Sequence, residues 1–202
     1  MRLSNGVANN KNNIFIISGP SGAGEDSIID GLKKFMPIER IVTATTREMR
    51  PGEKSGREYY FISRDDFIKL IKEKKLFEYA QEYNNNYYGV TYDEINRVKA
   101  CGKIGIWKIE YKGVITAKKL IPGIIAIFIN APLKILEKRI KRRGNVTEEF
   151  IKKRLEYTTE WLKHLDIYDY TVENEEGKLN QTIKQVVEII KKSTKSAVDP
   201  VK

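Results

Sequence analysis

The segment Gly19-Pro20-Ser21-Gly22-Ala23-Gly24 is where residue types and spacing most directly suggest chemistry. It fits the first six positions of G-x-x-x-x-G-K-[ST], a loop whose backbone N–H groups cradle phosphate ahead of a helix N-terminus. The frame alone is weak, because at a glycine content of about 7% that spacing arises about once by chance in a chain of this size. Its flanks add weight. Ile14-Phe15-Ile16-Ile17-Ser18 is an apolar run stopped by glycine and reads as a buried strand, and the residues from Asp26 onward place apolar side chains at helical spacing until Pro37 closes the element.

The two positions after the loop carry the wrong charge. Glu25 stands where a lysine would reach the β- and γ-phosphates, and Asp26 stands where a Ser or Thr hydroxyl would ligate Mg²⁺, with Ser27 one residue late. Two unit charges about 4 Å apart interact by about 4 kcal/mol at an effective dielectric near 20. Exchanging lysine for glutamate therefore turns a strong attraction into a comparable repulsion. Left uncompensated, it would largely abolish nucleotide binding in the usual pose.

The elements that must position such a loop are legible along the chain. Ile38–Thr46 is a β-branched stretch, Tyr59-Tyr60-Phe61 reads as strand, and Ser63 can cap the helix that follows. Segments 77–83 and 87–90 flank Asn84-Asn85-Asn86 as a hairpin, and Thr91 with Glu94 forms a capping box for a helix ending at Cys101-Gly102. Ile104–Ile109 and Ile124–Ile129 are apolar strands, Pro132–Arg143 is a basic helix broken at Gly144-Asn145, and Thr147 opens another helix reaching about His164. Tyr168–Val172 is a last strand and Leu179–Lys192 a last helix, with a disordered tail from Ser193. Strands alternating with helices, some apolar throughout, predict a parallel sheet covered on both faces, with ligands beyond the carboxyl ends of its strands.

Composition narrows the classes. The chain has 202 residues and a formal net charge of +10, which suits one domain and suggests a polyanionic partner. The single cysteine, Cys101, excludes an intramolecular disulfide framework and fits a reducing cytoplasm. One histidine and one cysteine argue against a His/Cys zinc site and against Ser-His or Cys-His nucleophiles. Residues 1–13 have no apolar core for a secretory signal, and no 18-residue apolar run predicts a membrane span.

Beyond the loop, several segments keep a common register. Thr43-Ala44-Thr45-Thr46-Arg47, Arg50-Pro51-Gly52-Glu53, Gly56, Glu58-Tyr59-Tyr60-Phe61, Phe77-Glu78-Tyr79-Ala80, Tyr87-Tyr88-Gly89 and the run Arg139, Arg143-Gly144, Thr147-Glu148-Glu149 and Lys153-Arg154-Leu155 resemble the guanylate kinase family from about residue 14 to 190. The resemblance implies an α/β, three-layer phosphate-loop kinase fold with a parallel core sheet, a small mixed GMP-binding sub-domain and a helical lid. It places the core at 14–42, 98–136 and 165–190, the sub-domain at 43–97 and the lid at 137–164, between flexible termini at 1–13 and 193–202. It implies transfer of the γ-phosphoryl of ATP to GMP with Mg²⁺.

By position, Arg47, Arg50, Tyr59 and Tyr88 correspond to the family's ligands of the GMP phosphate, a chemically sensible set of two guanidinium forks and two phenols. Glu78 corresponds to the guanine-reading carboxylate, Thr43 keeps a hydroxyl where the family has Ser, and Val90 loses one or passes it to Thr91. Arg139, Arg143 and Arg154 resemble lid arginines that close over the ATP phosphates, and Asn174 falls at an adenine-side position. With Gly19 to Gly24, Glu25, Asp26 and Ser27, Asn174 completes the ATP-binding set. His164 reads as a surface residue and Cys101 as a helix end without a role.

A further departure lies on the central strand. The family's L-[DE]-[IV]-D-x-Q-G segment reads Trp107-Lys108-Ile109-Glu110-Tyr111-Lys112-Gly113 here, so Lys108 replaces an acid, Glu110 keeps the second, guanine-reading one, and Lys112 replaces the Gln. Loop Lys→Glu and strand Asp→Lys together exchange sign across one site. Strand alternation points Lys108 and Glu110 to one face. Lys108 could then reach the phosphates while Asp26 or Glu25 holds Mg²⁺ through oxygen. At the least, Lys108 could pair with Glu25. The competing account is a decayed site on a GMP- or phospholigand-binding module. The partners expected are GMP and ATP, with no membrane, no nucleic acid, and a monomer or homodimer in the cytoplasm.

Overall fold

The computed structural model describes residues 13–81, 85–142, 144 and 146–195. Its central strand is β1 (Ile14–Ser18), buried at every position. Alternation along β1 sends Phe15 and Ile17 into one apolar cluster and Ile14 and Ile16 into another, so the strand is clamped between two layers. Full burial of such side chains contributes roughly 1.5–3 kcal/mol each.

β1 pairs in parallel with β7 (Ile104–Lys108) on one side and β8 (Ile125–Asn130) on the other; β2 (Ile38–Ile41) and β9 (Tyr170–Glu173) close the parallel sheet in the order β2-β7-β1-β8-β9. Helices α1 (Glu25–Leu32) and α7 (Leu179–Lys195) contribute Ile28, Ile29, Val186 and Ile190 to one face. Helices α3 (Tyr92–Ala100), α4 (Tyr111–Leu120) and α6 (Glu148–Leu162) contribute Ile95, Val114 and Trp161 to the other. α5 (Leu133–Lys141) follows β8. The expected three-layer α/β fold with its parallel sheet is what the chain adopts. The C-terminal ends of β1 and β7, where neighbouring connections diverge, open onto a crevice.

The β-branched stretch 38–46 is two strands in two sheets. After β2, Val42 leaves the ladder and its N–H donates to Glu94 Oε1 at 2.7 Å. β3 (Thr43–Thr45) then joins a mixed sheet ordered β4-β3-β6-β5, with β4 (Tyr59–Phe61), β5 (Leu76–Gln81) and β6 (Tyr87–Thr91). Its own small core holds Ala44, Phe67 and Leu76, with Phe67 stacked on Tyr87 at 5.2 Å. Phe67 lies on α2 (Arg64–Lys72), which Ser63 caps by accepting from Asp66 N.

Several expectations are corrected. Only half of the capping box at Thr91 forms: Thr91 Oγ1 accepts from Glu94 N, but the Glu94 carboxylate turns to Val42 and Arg97, because the N–H stranded between the sheets needs an acceptor. Helix α4 was not anticipated, although Tyr111, Val114 and Ala117, all buried, recur every third residue. The tail expected to be disordered from Ser193 is helical to Lys195 with Ser193 fully buried. The hairpin's Asn84, with residues 82 and 83, lies outside the described residues, as do 1–12 and 196–202.

Candidate functional site

The loop after β1 is built from glycines that nothing larger could replace. A Cβ on Gly19 would lie 2.4 Å from the Ile129 carbonyl oxygen, and Gly22 and Gly24 hold φ near +93° and +97°, in the left-handed region. Behind the loop, Arg139 Nη1 donates to the Gly22 carbonyl at 3.1 Å, and Asn174 Nδ2 donates to the Ala23 carbonyl at 2.7 Å. A planar trans peptide sets the Gly24 N–H opposite the Ala23 carbonyl. There the Gly24 N–H donates to Glu25 Oε2 at 3.1 Å. Glu25 is buried at the start of α1, and its carboxylate takes a loop amide of the kind that would meet a phosphate.

Asp26 faces the sheet. Its Oδ2 accepts from Lys108 Nζ at 2.6 Å and its Oδ1 from Arg40 Nη2 at 2.7 Å. Lys108 ends β7, beside Ile17 of β1, and Arg40 comes from β2. Burial pushes the Asp26 carboxyl up, but the two cations outweigh it and hold the group well below the usual carboxylate range. Burial likewise opposes the charge on Lys108, yet Tyr59, Asp26 and Glu25 together raise its affinity for the proton. The expected partner, Glu25, is not the one Lys108 takes. β7 ends at Lys108, so Glu110 is at the N-cap of α4 rather than one strand step further along.

Asp26 in this arrangement does not fit a Mg²⁺ site. Each carboxylate oxygen already accepts from a cation, and no group of three His, Cys, Asp or Glu residues that could hold a metal occurs among the described residues.

Across the crevice, the mixed sheet presents the second half. Arg47 Nη2 pairs with Glu53 Oε1 at 2.8 Å, and Glu53 Oε2 accepts from the Arg50 amide at 2.8 Å, so one carboxylate braces the loop that carries both arginines. Burial opposes the Arg47 charge and Glu53 more than restores it. The guanidinium also lies 5.4 Å from the centroid of Tyr59. Tyr59 and Tyr88 meet edge to face at 6.0 Å, and burial raises the Tyr88 phenol above its ordinary value. Glu78 is buried, with Oε1 placed where a Cβ on Gly113 would lie 3.1 Å away.

One cleft unites these parts. Of the expected residues, Gly19, Ser21, Gly22, Glu25, Asp26, Thr43, Arg47, Arg50, Tyr59, Glu78, Tyr88, Lys108, Glu110 and Arg154 line it. Pro20, Ala23, Gly24, Ser27, Arg139 and Asn174 do not. Ser27 is exposed on α1. Arg139 is spent on the loop carbonyls and on the Asn174 carbonyl at 2.9 Å, and burial lowers its pKa. Asn174, buried, bonds Ala23 and Thr182. Both side chains brace the loop from behind. Arg143 lies outside the described residues. Val90 is buried and Thr91 caps α3, so neither reaches the cleft.

The sequence reading missed Arg40, Glu53 and Tyr157. An arginine inside a buried strand was a signal for the first, and the Arg-Pro-Gly-Glu run contained the second; Tyr157, whose hydroxyl donates to Glu110 Oε2 at 2.8 Å, had none. His164 is half-buried and stacks on Tyr111 at 4.6 Å, while Cys101 sits at the end of α3 as expected. The basic face of α5 is largely neutralised within the chain: Lys138 and Arg142 pair with Glu176, and Lys141 with Glu137. No described helix is long and apolar enough to cross a membrane.

The guanylate kinase family model matches residues 11–193. A guanylate kinase of Rickettsia felis is 37% identical over 183 residues, covering 90% of this chain and 94% of the relative. That of Desulfitobacterium hafniense is 38% identical over 165 residues, covering 81% and 82%. The crystal structure of guanylate kinase from Anaplasma phagocytophilum superposes with a TM-score of 0.69 at 25% identity, covering 88% of this chain and 84% of that one.

Proposed function

This chain belongs to the guanylate kinase family, and we propose that it transfers the γ-phosphoryl group of ATP to GMP through a donor site whose positive charge comes from strand β7 instead of the loop. The observation that carries this reading is Lys108, whose ammonium stands in the cleft at the mouth of the glycine loop, held by Asp26 at 2.6 Å. A lysine arriving from the strand supplies the charge that Glu25 and Asp26 withdrew.

The acceptor half needs no such exchange. Arg47, Arg50, Tyr59 and Tyr88 hold the GMP phosphate through charge-assisted bonds. Glu78 and Glu110 offer only acceptors, which matches the N1–H and 2-amino donors of guanine and mismatches adenine, whose N1 is itself an acceptor. A phosphate oxygen of GMP attacks the γ-phosphorus of ATP; that P–O bond forms as the bond to the β–γ bridging oxygen breaks, and ADP leaves with the electron pair. Such transfer rests on alignment and on neutralising charge over the moving group. Lys108 and Arg154 supply that charge, with the loop amides at the donor end.

In this reading the core comprises 14–42, 98–136 and 165–190, the acceptor unit 43–97 and the lid 137–164. Ile95 and Val98 nevertheless pack α3 onto the main sheet with Ile14 and Trp107. A coupled assay of ADP formation from ATP and GMP tests the proposal, and no GMP-dependent ADP at high enzyme concentration overturns it. One observation favours a second reading, a GMP-binding module without turnover: Glu25 already occupies the Gly24 amide. Thermal stabilisation by GMP but not by ATP would select it.

A further inference from the structure

Tyr157 and Glu110 join two parts of the molecule that the nucleotide chemistry treats separately. Glu110 is the N-cap of α4 at the acceptor end of the cleft, and Tyr157 belongs to α6. The Tyr157 hydroxyl donates to Glu110 Oε2 at 2.8 Å in a partly buried setting. The ring is wedged between Tyr111 and Trp161, with centroids 6.0 and 6.1 Å away, so the hydroxyl has a fixed origin. Arg154, one turn earlier on the same helix, lines the same cleft.

We propose that Tyr157 is a positioning residue that sets guanine specificity from α6 by fixing the orientation of Glu110. This rests on the acceptor reading given above. An untethered glutamate rotates about its terminal bond and can follow a base that offers a single donor. Once Oε2 is occupied by Tyr157, Oε1 is held in one direction, and the acceptor pattern of Glu78 and Glu110 rewards a base with two donors on one edge. Guanine has N1–H and the 2-amino group; hypoxanthine keeps only N1–H. The preference for GMP over IMP is therefore partly stored in a hydroxyl that touches neither base nor phosphate. The same contact ties recognition of the acceptor base to the helix that carries Arg154.

Tyr157→Phe removes the hydroxyl and keeps the ring. The experiment measures kcat and KM for GMP and IMP in wild type and variant, titrates both nucleotides without ATP, and records Tm. We expect KM for GMP to rise roughly tenfold, the scale of one hydrogen bond to a charged group, with kcat and the KM for ATP within about twofold. The ratio of kcat/KM for GMP to that for IMP should fall by a similar factor, and Tm should stay constant. An unchanged ratio overturns the proposal, and so does a uniform loss for both substrates accompanied by a lower Tm. Wild type that binds neither nucleotide would instead sink the acceptor reading. Wild type preferring GMP, with the variant equally selective, sinks only the role of Tyr157.

Discussion

Lys108 and Asp26, 82 positions apart in the chain, meet at 2.6 Å across the mouth of the glycine loop. Lys108 stands where the family carries an acid and Asp26 where it carries a Ser or Thr hydroxyl, and Arg40 completes the cluster from the strand on the far side of β7. The exchange conserves a local balance: a lysine on the strand faces an acid on the helix, where the usual arrangement has a lysine on the loop and an acid on the strand.

If Lys108 is the donor-site cation, its loss should be costly and that of Glu25 mild. Lys108→Ala is expected to lower kcat/KM for ATP by roughly 10²–10³-fold, the scale of removing one preorganised stabilising group. Glu25→Ala frees the Gly24 amide and should change the rate by less than about tenfold, in either direction. Steady-state ADP release by both variants checks this, and equal effects would disprove the relocation.

The pair also fixes a pH window for stability. Asp26 has its pKa depressed in the folded chain, so its contribution is present above the ordinary value of 3.8 and is lost as pH falls through the lower folded value. Lys108 is raised, so its contribution is present below the ordinary 10.5 and is lost as pH rises through the higher folded value. Thermal melts of Asp26→Asn should lie below wild type at pH 7, and the gap should narrow in acid. A constant gap across the titration would show that the pairing contributes nothing.

Glu53 acts through Arg47 and the Arg50 amide. Truncating it leaves a guanidinium without its partner and a loop without its brace. Glu53→Ala should raise KM for GMP by about 10- to 100-fold, the range for losing bonds to a charged group, with little change in KM for ATP. A GMP titration at saturating ATP reads this directly.

Asn174 holds the loop from behind. Asn174→Ala leaves the Ala23 carbonyl without its 2.7 Å donor and opens a void beside Gly24, where a Cβ would lie 2.5 Å from Nδ2. Loss of such a buried bond costs about 1–3 kcal/mol. We expect a lower Tm and a raised KM for ATP, with GMP binding unaltered; a variant impaired in ATP affinity at unchanged Tm would instead indicate direct contact with the nucleotide.

Much of this was legible beforehand, because local pattern reports local structure. The apolar run of β1, the glycine frame, the caps at Ser63 and Thr147 and the register of Arg47, Arg50, Tyr59 and Tyr88 are properties of neighbouring residues. Helix α4 escaped because its apolar positions are interleaved with Lys112, Lys118 and Lys119 and begin directly after a strand. The bracing by Arg139 and Asn174 was not legible for a different reason: both donate to carbonyls of the loop, and nothing in local spacing distinguishes a side chain facing a ligand from one supporting the backbone beneath it.

The amino-acid sequence by itself determined the parallel sheet, the glycine-loop frame and the fact that charge had changed sign around the loop. The tertiary structure decided who answers that charge. Glu25 turns back on its own loop amide, while Asp26 reaches Lys108 and Arg40. Hydrogen bonds and ion pairs are won by whichever groups the packed sheet and helix bring within about 3 Å. That contest is settled between β2, β7 and α1, elements that adjoin in space and lie far apart along the chain.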